Sequence, residues 1–215
     1  MDIYLAPTFI IDSDNPLIIK AAKECVVSCN NQIEAAIAMY LFVRDTIRYN
    51  PYRLDLRPEG LQASSVLQRD SGYCVEKAVL LAALLRANGI PSRLGFANVR
   101  NHIGTQRIEE RLGTDVLVFH GYTEIYLNQK WVKATPAFNQ ELCHKLNVEP
   151  LEFNGLEDSV FQDYNTEKKL FMEYLHDYGT FADMPFQLFI DSLKQYYGKI
   201  FESAQPVQGG YLVTF

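Results

Sequence analysis

The chain has 215 residues, 48% of them hydrophobic, so it is long enough to bury a substantial core as one globular domain. It carries 20 basic and 26 acidic residues, which gives a formal net charge of −6 at pH 7. The basic residues form no long run that could follow a phosphate backbone. Composition and charge therefore exclude nucleic acid as the expected partner.

The N-terminal segment and the cysteine and histidine spacings add further expectations. Residues 1–7 lack a basic stretch followed by a continuous apolar run, and no segment is long enough to span a bilayer, so we expect a soluble, cytoplasmic protein with no membrane partner. The cysteines are too few for a disulfide framework, and the histidines are not paired at zinc-ligand intervals. No glycine-rich phosphate loop is present, so we expect neither a metal nor a cofactor. The cysteines are Cys25, Cys29, Cys74 and Cys143, and the histidines are His102, His120, His144 and His176.

The first third of the chain carries the signals of helices. Asn15 before Pro16 is typical of a helix start and predicts a helix over 17–28. A second helix is expected from about Asn30 to just before Tyr49, because apolar residues recur there at helical spacing. We expect the proline-bearing segment 51–60 to be a loop and 63–67 to be a short helix.

The most informative stretch follows, where a turn leads into an apolar helix that begins with a cysteine. The helix is expected to run from Cys74 to about Asn88, and Gly89 supplies a left-handed stop. A helix N-terminus carries partial positive charge, which would lower the pKa of the Cys74 thiol and favour the nucleophilic thiolate. The alternative is that Cys74 is a small buried hydrophobe, as free cysteines usually are. A base further along the chain would favour the first interpretation.

The next segments are β-prone. Strands are expected over 92–99, 116–127 and 131–136, with a polar loop over 100–115. If Asn128 and Gln129 form a two-residue turn, Tyr122 pairs with Thr135, and His120 lies on the same sheet face one step diagonally away. A three-residue turn would break that alignment.

The C-terminal third is acidic and aromatic. Segments 167–176 and 185–201 have helical periodicity, and 210–215 is expected to be a strand. We expect these residues to pack around the core, with the aromatic side chains mostly buried. Their position after the preceding strands also predicts a cover over the site.

Four segments, in this order along the chain, resemble the transglutaminase-like superfamily, whose core has the papain-type cysteine-protease architecture. The segments are Arg44–Tyr49, Ala63–Leu67 with Gly72–Cys74, Leu84–Arg93, and His120–Tyr126 with Trp131–Pro136. The resemblance covers about residues 36–139. It implies an α+β fold in which a central nucleophile helix packs on an antiparallel sheet, with additional N- and C-terminal helices. We expect a single domain over 1–215 whose C-terminal helical extension begins at about residue 140.

The resemblance implies a Cys-His mechanism of acyl transfer on amide or peptide bonds. Cys74 would be the nucleophile, and His120 would hold the thiol ionised and then protonate the leaving amine. The family normally carries aspartate immediately before the proline of the last strand, and this chain has Thr135 there. A hydroxyl can orient an imidazole but contributes no charge. Asn139 is the alternative third member.

Two further residues are candidates for the oxyanion hole or the substrate groove. Gln68 stands six residues before Cys74, the spacing of the oxyanion glutamine in papain-like proteases, although it also fits an exposed loop position. Tyr73 would line the groove or simply pack. The expected substrate is a peptide, a protein or a small amide, and hydrolysis is favoured over transfer because water is always present. Three alternatives stay open: a non-catalytic binding module on the same fold, an acyltransferase related to arylamine N-acetyltransferases, and a purely structural role for all four cysteines.

Overall fold

The computed structural model describes residues 1–102, 106–160 and 172–214, and its elements alternate between short helices and strands around one long buried helix. The helices are α1 (Pro16–Cys25), α2 (Gln32–Thr46), α3 (Pro58–Leu61), α4 (Ala63–Arg69), α5 (Cys74–Ala87), α6 (Gln106–Leu112), α7 (Gln140–Leu146), α8 (Phe186–Tyr196) and α9 (Gly198–Ser203). The strands are β1 (Arg48–Tyr49), β2 (Arg53–Leu56), β3 (Ser71–Gly72), β4 (Ser92–Asn101), β5 (Val116–Leu127), β6 (Lys130–Ala134), β7 (Met172–Phe181), β8 (Gln205–Val207) and β9 (Gly210–Thr214).

Helix α5 is the centre of the fold and packs on a four-stranded antiparallel sheet of order β6-β5-β4-β7. Its residues from Cys74 to Arg86 are all buried, because the sequence is apolar on nearly every face of the helix. The hydroxyl of Thr123 on β5 donates to the carbonyl oxygen of Ala78, which ties the sheet to the helix at 2.9 Å. Gly89, with φ +70°, ends the helix as predicted. The predicted α+β fold class, with a central helix packed on an antiparallel sheet, is confirmed.

The two N-terminal helices start where capping residues predict. The Asn15 side chain accepts a hydrogen bond from the Leu17 amide, and the Asn31 side chain caps α2 in the same way. Helix α1 ends at Cys25, three residues earlier than predicted. The buried side chain of Lys77 links the C-terminal end of α2 to α5, because its Nζ donates to the carbonyl oxygens of Arg44 and Ile47. A donor at this end of a helix satisfies carbonyl groups that have no partner within the helix.

The β5–β6 hairpin has the two-residue turn that the sequence allows. Asn128 and Gln129 both have positive φ, and Leu127 pairs with Lys130, as in a type I′ turn. The pairing continues to Thr123 opposite Ala134, so Thr135 follows directly at the end of β6. This register carries Thr135 towards the part of β5 that holds His120.

Two segments differ from the sequence predictions because their partners are distant in the chain. The predicted loop over 51–60 contains β2 and α3, and β2 is a strand because it pairs with β9 from the other end of the chain. Residues 172–176, predicted to be helical, belong to β7, which pairs with β4. The remainder of that predicted helix, 167–171, lies outside the described residues. The C-terminal extension is thus mixed rather than helical, and its strand over 210–214 is confirmed.

The predicted polar loop over 100–115 also contains a short helix, α6. Within the described ranges, none of the helices has the length and apolar character needed to cross a membrane.

Candidate active site

Cys74 is the first residue of α5, and the turn before it is held by a buried ion pair. Glu76 accepts a hydrogen bond from the Tyr73 amide at 3.1 Å, which satisfies a backbone donor that the helix leaves free. The other carboxylate oxygen of Glu76 pairs with Arg69 at 2.7 Å, and the Glu76 side chain is almost fully buried. The first turn of the helix therefore holds the thiol in a fixed place.

Strand β5 reaches this turn at Gly121. A Cβ atom added there would lie 2.9 Å from Cα of Val75 and 3.4 Å from the carbonyl oxygen of Cys74. The backbone amides of Gly121 and Val75 donate towards the Cys74 sulfur, which favours the thiolate. The glycine brings the backbone of His120, the preceding residue, to the turn that carries the thiol.

Burial outweighs those amides in setting the protonation state of the thiol. Cys74 is 7% exposed, and burial raises its pKa to about 11. The sequence predicted a lowered pKa from the helix N-terminus alone. That prediction is wrong for the structure, because apolar side chains around the sulfur penalise the charged form more than the amides stabilise it.

A β-bulge precedes His120. Ala97 pairs with His120 and Val99 pairs with Leu117, so two residues of β5 lie opposite the single residue Asn98. Phe119 within the bulge has φ +61°, and its amide donates to the Asn98 side chain at 3.0 Å. Bulges of this kind redirect the side chains that follow them.

A tyrosine from the C-terminal extension completes the bulge. The Tyr197 hydroxyl accepts a hydrogen bond from the Val118 amide at 2.6 Å and donates to the Val116 carbonyl oxygen at 2.8 Å. The Tyr197 side chain is buried, so water cannot easily replace these bonds. Tyr197 is thereby linked to Val118 and Val116, which precede it by 79 and 81 positions in the chain, next to the candidate site.

Tyr197→Phe is expected to destabilise the fold by about 2 kcal/mol, because it leaves the buried Val118 amide without a partner. Tyr196→Phe is the matched control, since Tyr196, the last residue of α8 and the neighbour of Tyr197, is 44% exposed and should be neutral. Urea unfolding of both variants measures the difference. Equal stability of the two variants would contradict this assignment of the Tyr197 hydroxyl.

His120 and Thr135 face a common cavity of about 10 Å³. They are 1% and 4% exposed, and neither ring nitrogen of His120 nor the Thr135 hydroxyl has a hydrogen-bond partner among the residues that the structure describes. The cavity has the minimum size that holds one water molecule, roughly 10–15 Å³. The hairpin register thus places His120 and Thr135, the residue at the expected acid position, beside the same cavity. No described residue of the lining carries a carboxylate.

Cys74 lines a second cavity, of about 60 Å³, together with Tyr73. His120 is not part of that lining, and the structure contains no hydrogen bond between His120 and Cys74. The linings of the two cavities touch through an aromatic contact. Tyr49, which lines the Cys74 cavity, packs edge-on against Phe138, which lines the His120 cavity, with 4.8 Å between the ring centroids. The structure therefore groups His120 with Thr135, and Cys74 with Tyr73.

The remaining sequence candidates lie elsewhere. The Asn139 side chain accepts a hydrogen bond from the Tyr49 amide at 3.1 Å, so its oxygen holds strand β1 rather than facing the His120 cavity. Gln68 is exposed on α4 and is not part of the Cys74 lining. The described residues contain no cluster of histidine, cysteine or acidic side chains suited to a metal ion.

Burial lowers the pKa of His120 to about 4. In the unfolded chain the imidazole titrates near 6.5, so the unfolded state binds more protons between pH 6.5 and 4. We expect acidification through this window to lower the free energy of unfolding of wild type by roughly 3 kcal/mol more than that of His120→Leu, which lacks the imidazole. Urea unfolding from pH 7 to pH 4 tests this, with exposed His176→Leu as control. Parallel pH profiles for wild type and His120→Leu would refute it.

Sequence reasoning missed two kinds of site residue. Gly121 was detectable, because an isolated glycine within a strand pattern indicates a close backbone approach. Phe189, Leu193 and Tyr197, which line the Cys74 cavity from the C-terminal extension, carried no local signal.

Comparison with known proteins identifies the family. The sequence model of the transglutaminase-like superfamily matches residues 19–136, more than half of the chain. The chain therefore belongs to the transglutaminase-like superfamily. No curated protein matches the sequence.

The solved structures that the chain matches share little sequence with it. A proposed cysteine protease from Cytophaga hutchinsonii is 18% identical, with a TM-score of 0.48, over 83% of this chain and 53% of that one. The periplasmic domain of TgpA from Pseudomonas aeruginosa is 19% identical, with a TM-score of 0.40, over 61% and 44%. A proposed protease from Parabacteroides distasonis is 17% identical, with a TM-score of 0.39, over 59% and 25%. The chain thus spans about half or less of these solved chains.

Proposed function

We propose that the protein is a cysteine-dependent acyl-transfer enzyme that hydrolyses an amide or peptide bond, with Cys74 as nucleophile and His120 as its base. The observation that carries the proposal is the contact at Gly121, which brings β5 and the backbone of His120 against the first turn of α5. The backbone amides at the Cys74 sulfur support the same role, because they favour negative charge at that point. The expected substrate is a peptide or protein, as in the protease-like members of this fold.

The pKa values favour a dyad that rests as neutral thiol and neutral imidazole. On this proposal, His120 takes the Cys74 proton as the sulfur attacks the carbonyl carbon, so that a C–S bond forms. The C–N bond then breaks, and the amine leaves with the proton that His120 returns. Water, deprotonated by His120, hydrolyses the thioester and regenerates the thiol. Catalytic hydrogen bonds commonly tighten only when substrate binds, so the lack of one between Cys74 and His120 is compatible with this sequence.

Thr135 sets a limit on the rate. The imidazolium that forms during attack has no carboxylate beside it among the described lining residues. In serine triads, replacing the orienting aspartate by asparagine lowers kcat about 10⁴-fold. We therefore propose a slow enzyme, in which the Thr135 hydroxyl faces the same small cavity as the ring and does not compensate its charge.

A second function class is favoured by a specific observation. His120 and Cys74 line different cavities, and the raised thiol pKa and lowered imidazole pKa both oppose an ion pair. These features also fit a binding module on the transglutaminase fold that performs no turnover.

Peptide digestion in H₂¹⁸O separates the two functions. A complex peptide mixture is incubated with wild type, Cys74→Ser and His120→Ala, and new carboxylates are read by mass spectrometry. The enzyme predicts ¹⁸O-labelled carboxylates that appear only with wild type. Added cadaverine tests transfer, because its incorporation would mean that an amine rather than water resolves the thioester. Identical peptide maps for wild type and Cys74→Ser would establish the binding module instead.

A further inference from the structure

The cavity beside Cys74 is apolar and has no charged side chain among its described lining residues. Its walls are leucine, valine, proline, phenylalanine and tyrosine side chains. An ion entering this space would lose its hydration without gaining a counter-charge, which costs several kcal/mol. The cavity therefore discriminates against charged groups next to the nucleophile.

One wall comes from outside the part of the chain that matches the family. Phe189, Leu193 and Tyr197 belong to α8 and the residue that follows it, whereas the family match ends at residue 136. All three are at most 5% exposed. This chain's own extension therefore shapes one wall of the cavity, and the rest of the lining comes from the part of the chain that matches the family.

The Tyr73 hydroxyl offers the cavity a polar contact. It is buried and has no hydrogen-bond partner among the residues that the structure describes, and Tyr73 lines the cavity next to Cys74. Buried hydroxyl groups are normally paired, so this one is available to a hydrogen-bonding atom of a bound molecule. The Tyr197 hydroxyl, by contrast, is already used at the bulge.

The volume limits the size of the occupant. An apolar cavity of about 150 Å³ binds benzene, so the present cavity, at about 60 Å³, admits only a shorter group. We propose that the cavity binds the substrate group on the acyl side of the bond that is cleaved, and that this group is short, aliphatic and uncharged. The Tyr73 hydroxyl contacts a polar atom of the substrate next to this aliphatic group. The inference rests on the proposed function in taking Cys74 as the attacking residue.

Single-turnover acylation of Cys74 tests the cavity without any need for amide turnover. The probes are p-nitrophenyl acetate, butyrate, hexanoate and hemisuccinate, which share one leaving group. The thiolate sulfur forms a bond to the carbonyl carbon, and the ester C–O bond breaks with its electron pair leaving on p-nitrophenolate. Acyl mass on the Cys74 peptide is followed with time, and each rate is divided by the rate for glutathione. Peptide mapping separates Cys74 from the other cysteines.

We expect butyryl transfer to exceed both hemisuccinyl and hexanoyl transfer by about tenfold or more after this correction. Leu193→Ala should move the preference to hexanoyl by a similar factor, because it deepens the cavity. Leu188→Ala is the matched control, since Leu188 lies on α8 but is 40% exposed and is not part of the lining. Corrected rates that do not differ among the acyl groups, or a Leu193→Ala profile identical to wild type, would overturn the inference.

The two proposals fail separately. Acyl selectivity without ¹⁸O incorporation would contradict the proposed hydrolase function and support acyl binding by the cavity. Hydrolysis without acyl selectivity would support the hydrolase function and contradict acyl binding by the cavity.

Discussion

Gly121→Val is expected to lower the free energy of unfolding by about 3 kcal/mol and to abolish acylation of Cys74. The added Cβ would lie 2.9 Å from Cα and 3.3 Å from the amide nitrogen of Val75, so the clash is with backbone and no side-chain rotation relieves it. Strand β5 must then move away from α5, and the Gly121 amide leaves the Cys74 sulfur. Urea unfolding and acylation by p-nitrophenyl acetate measure the two effects.

Gly198→Ala is the control for this substitution. Gly198 begins α9, and a Cβ added there meets nothing within 4 Å, so alanine should be tolerated. If Gly121→Val retained both wild-type stability and wild-type acylation, the close approach of β5 to the nucleophile would be incorrect.

Arg86→Met is expected to lower stability by about 4 kcal/mol, because the guanidinium joins three separate segments to α5. It donates to the carbonyl oxygens of Ala6 at 2.7 Å and Ser92 at 2.9 Å, and to that of Ala182 in the C-terminal extension. Arg86 is 4% exposed, so the three carbonyl groups would lose charge-assisted bonds at a place where water has little access. Thermal and urea unfolding measure the loss.

Arg111→Met controls for the loss of charge alone, because Arg111 is exposed on α6. A loss of less than about 1 kcal/mol in Arg86→Met, the size expected of an exposed arginine, would show that the three segments are held by other contacts.

Local signals were enough to predict where several elements of the fold begin, turn or end. Asn15 and Gly89 act on residues within one turn of themselves, so their effects are visible in sequence. The Asn128-Gln129 turn set the register that carries Thr135 to the His120 cavity. Cys74 and His120 were selected by motif, and their catalytic roles remain predictions.

Features that depend on distant residues could not be predicted in this way. Strand β2 exists because β9 pairs with it, more than 150 positions later in the chain. The pKa of Cys74 is a second case, because the apolar wall that raises it includes Phe189 and Leu193 from the extension. A helix N-terminus predicts the direction of the electrostatic effect, but not the burial that opposes it.

The claim that His120 activates Cys74 is tested most directly by the pH dependence of Cys74 acylation. The rate of acetyl transfer from p-nitrophenyl acetate to Cys74 is measured from pH 4 to pH 10 in wild type and His120→Ala, with His176→Ala as control. Because burial lowers the pKa of His120 to about 4, its neutral form is available throughout most of this range. Without His120, the reaction depends on a thiolate whose pKa burial raises to about 11.

If His120 activates Cys74, the rate in wild type is flat above about pH 5, whereas the rate in His120→Ala rises about tenfold per pH unit. At pH 7 the variant should be slower by about 10²-fold or more. His176→Ala should follow wild type. Superimposable profiles for wild type and His120→Ala would contradict this role of His120, because the thiol would then react without help from the histidine.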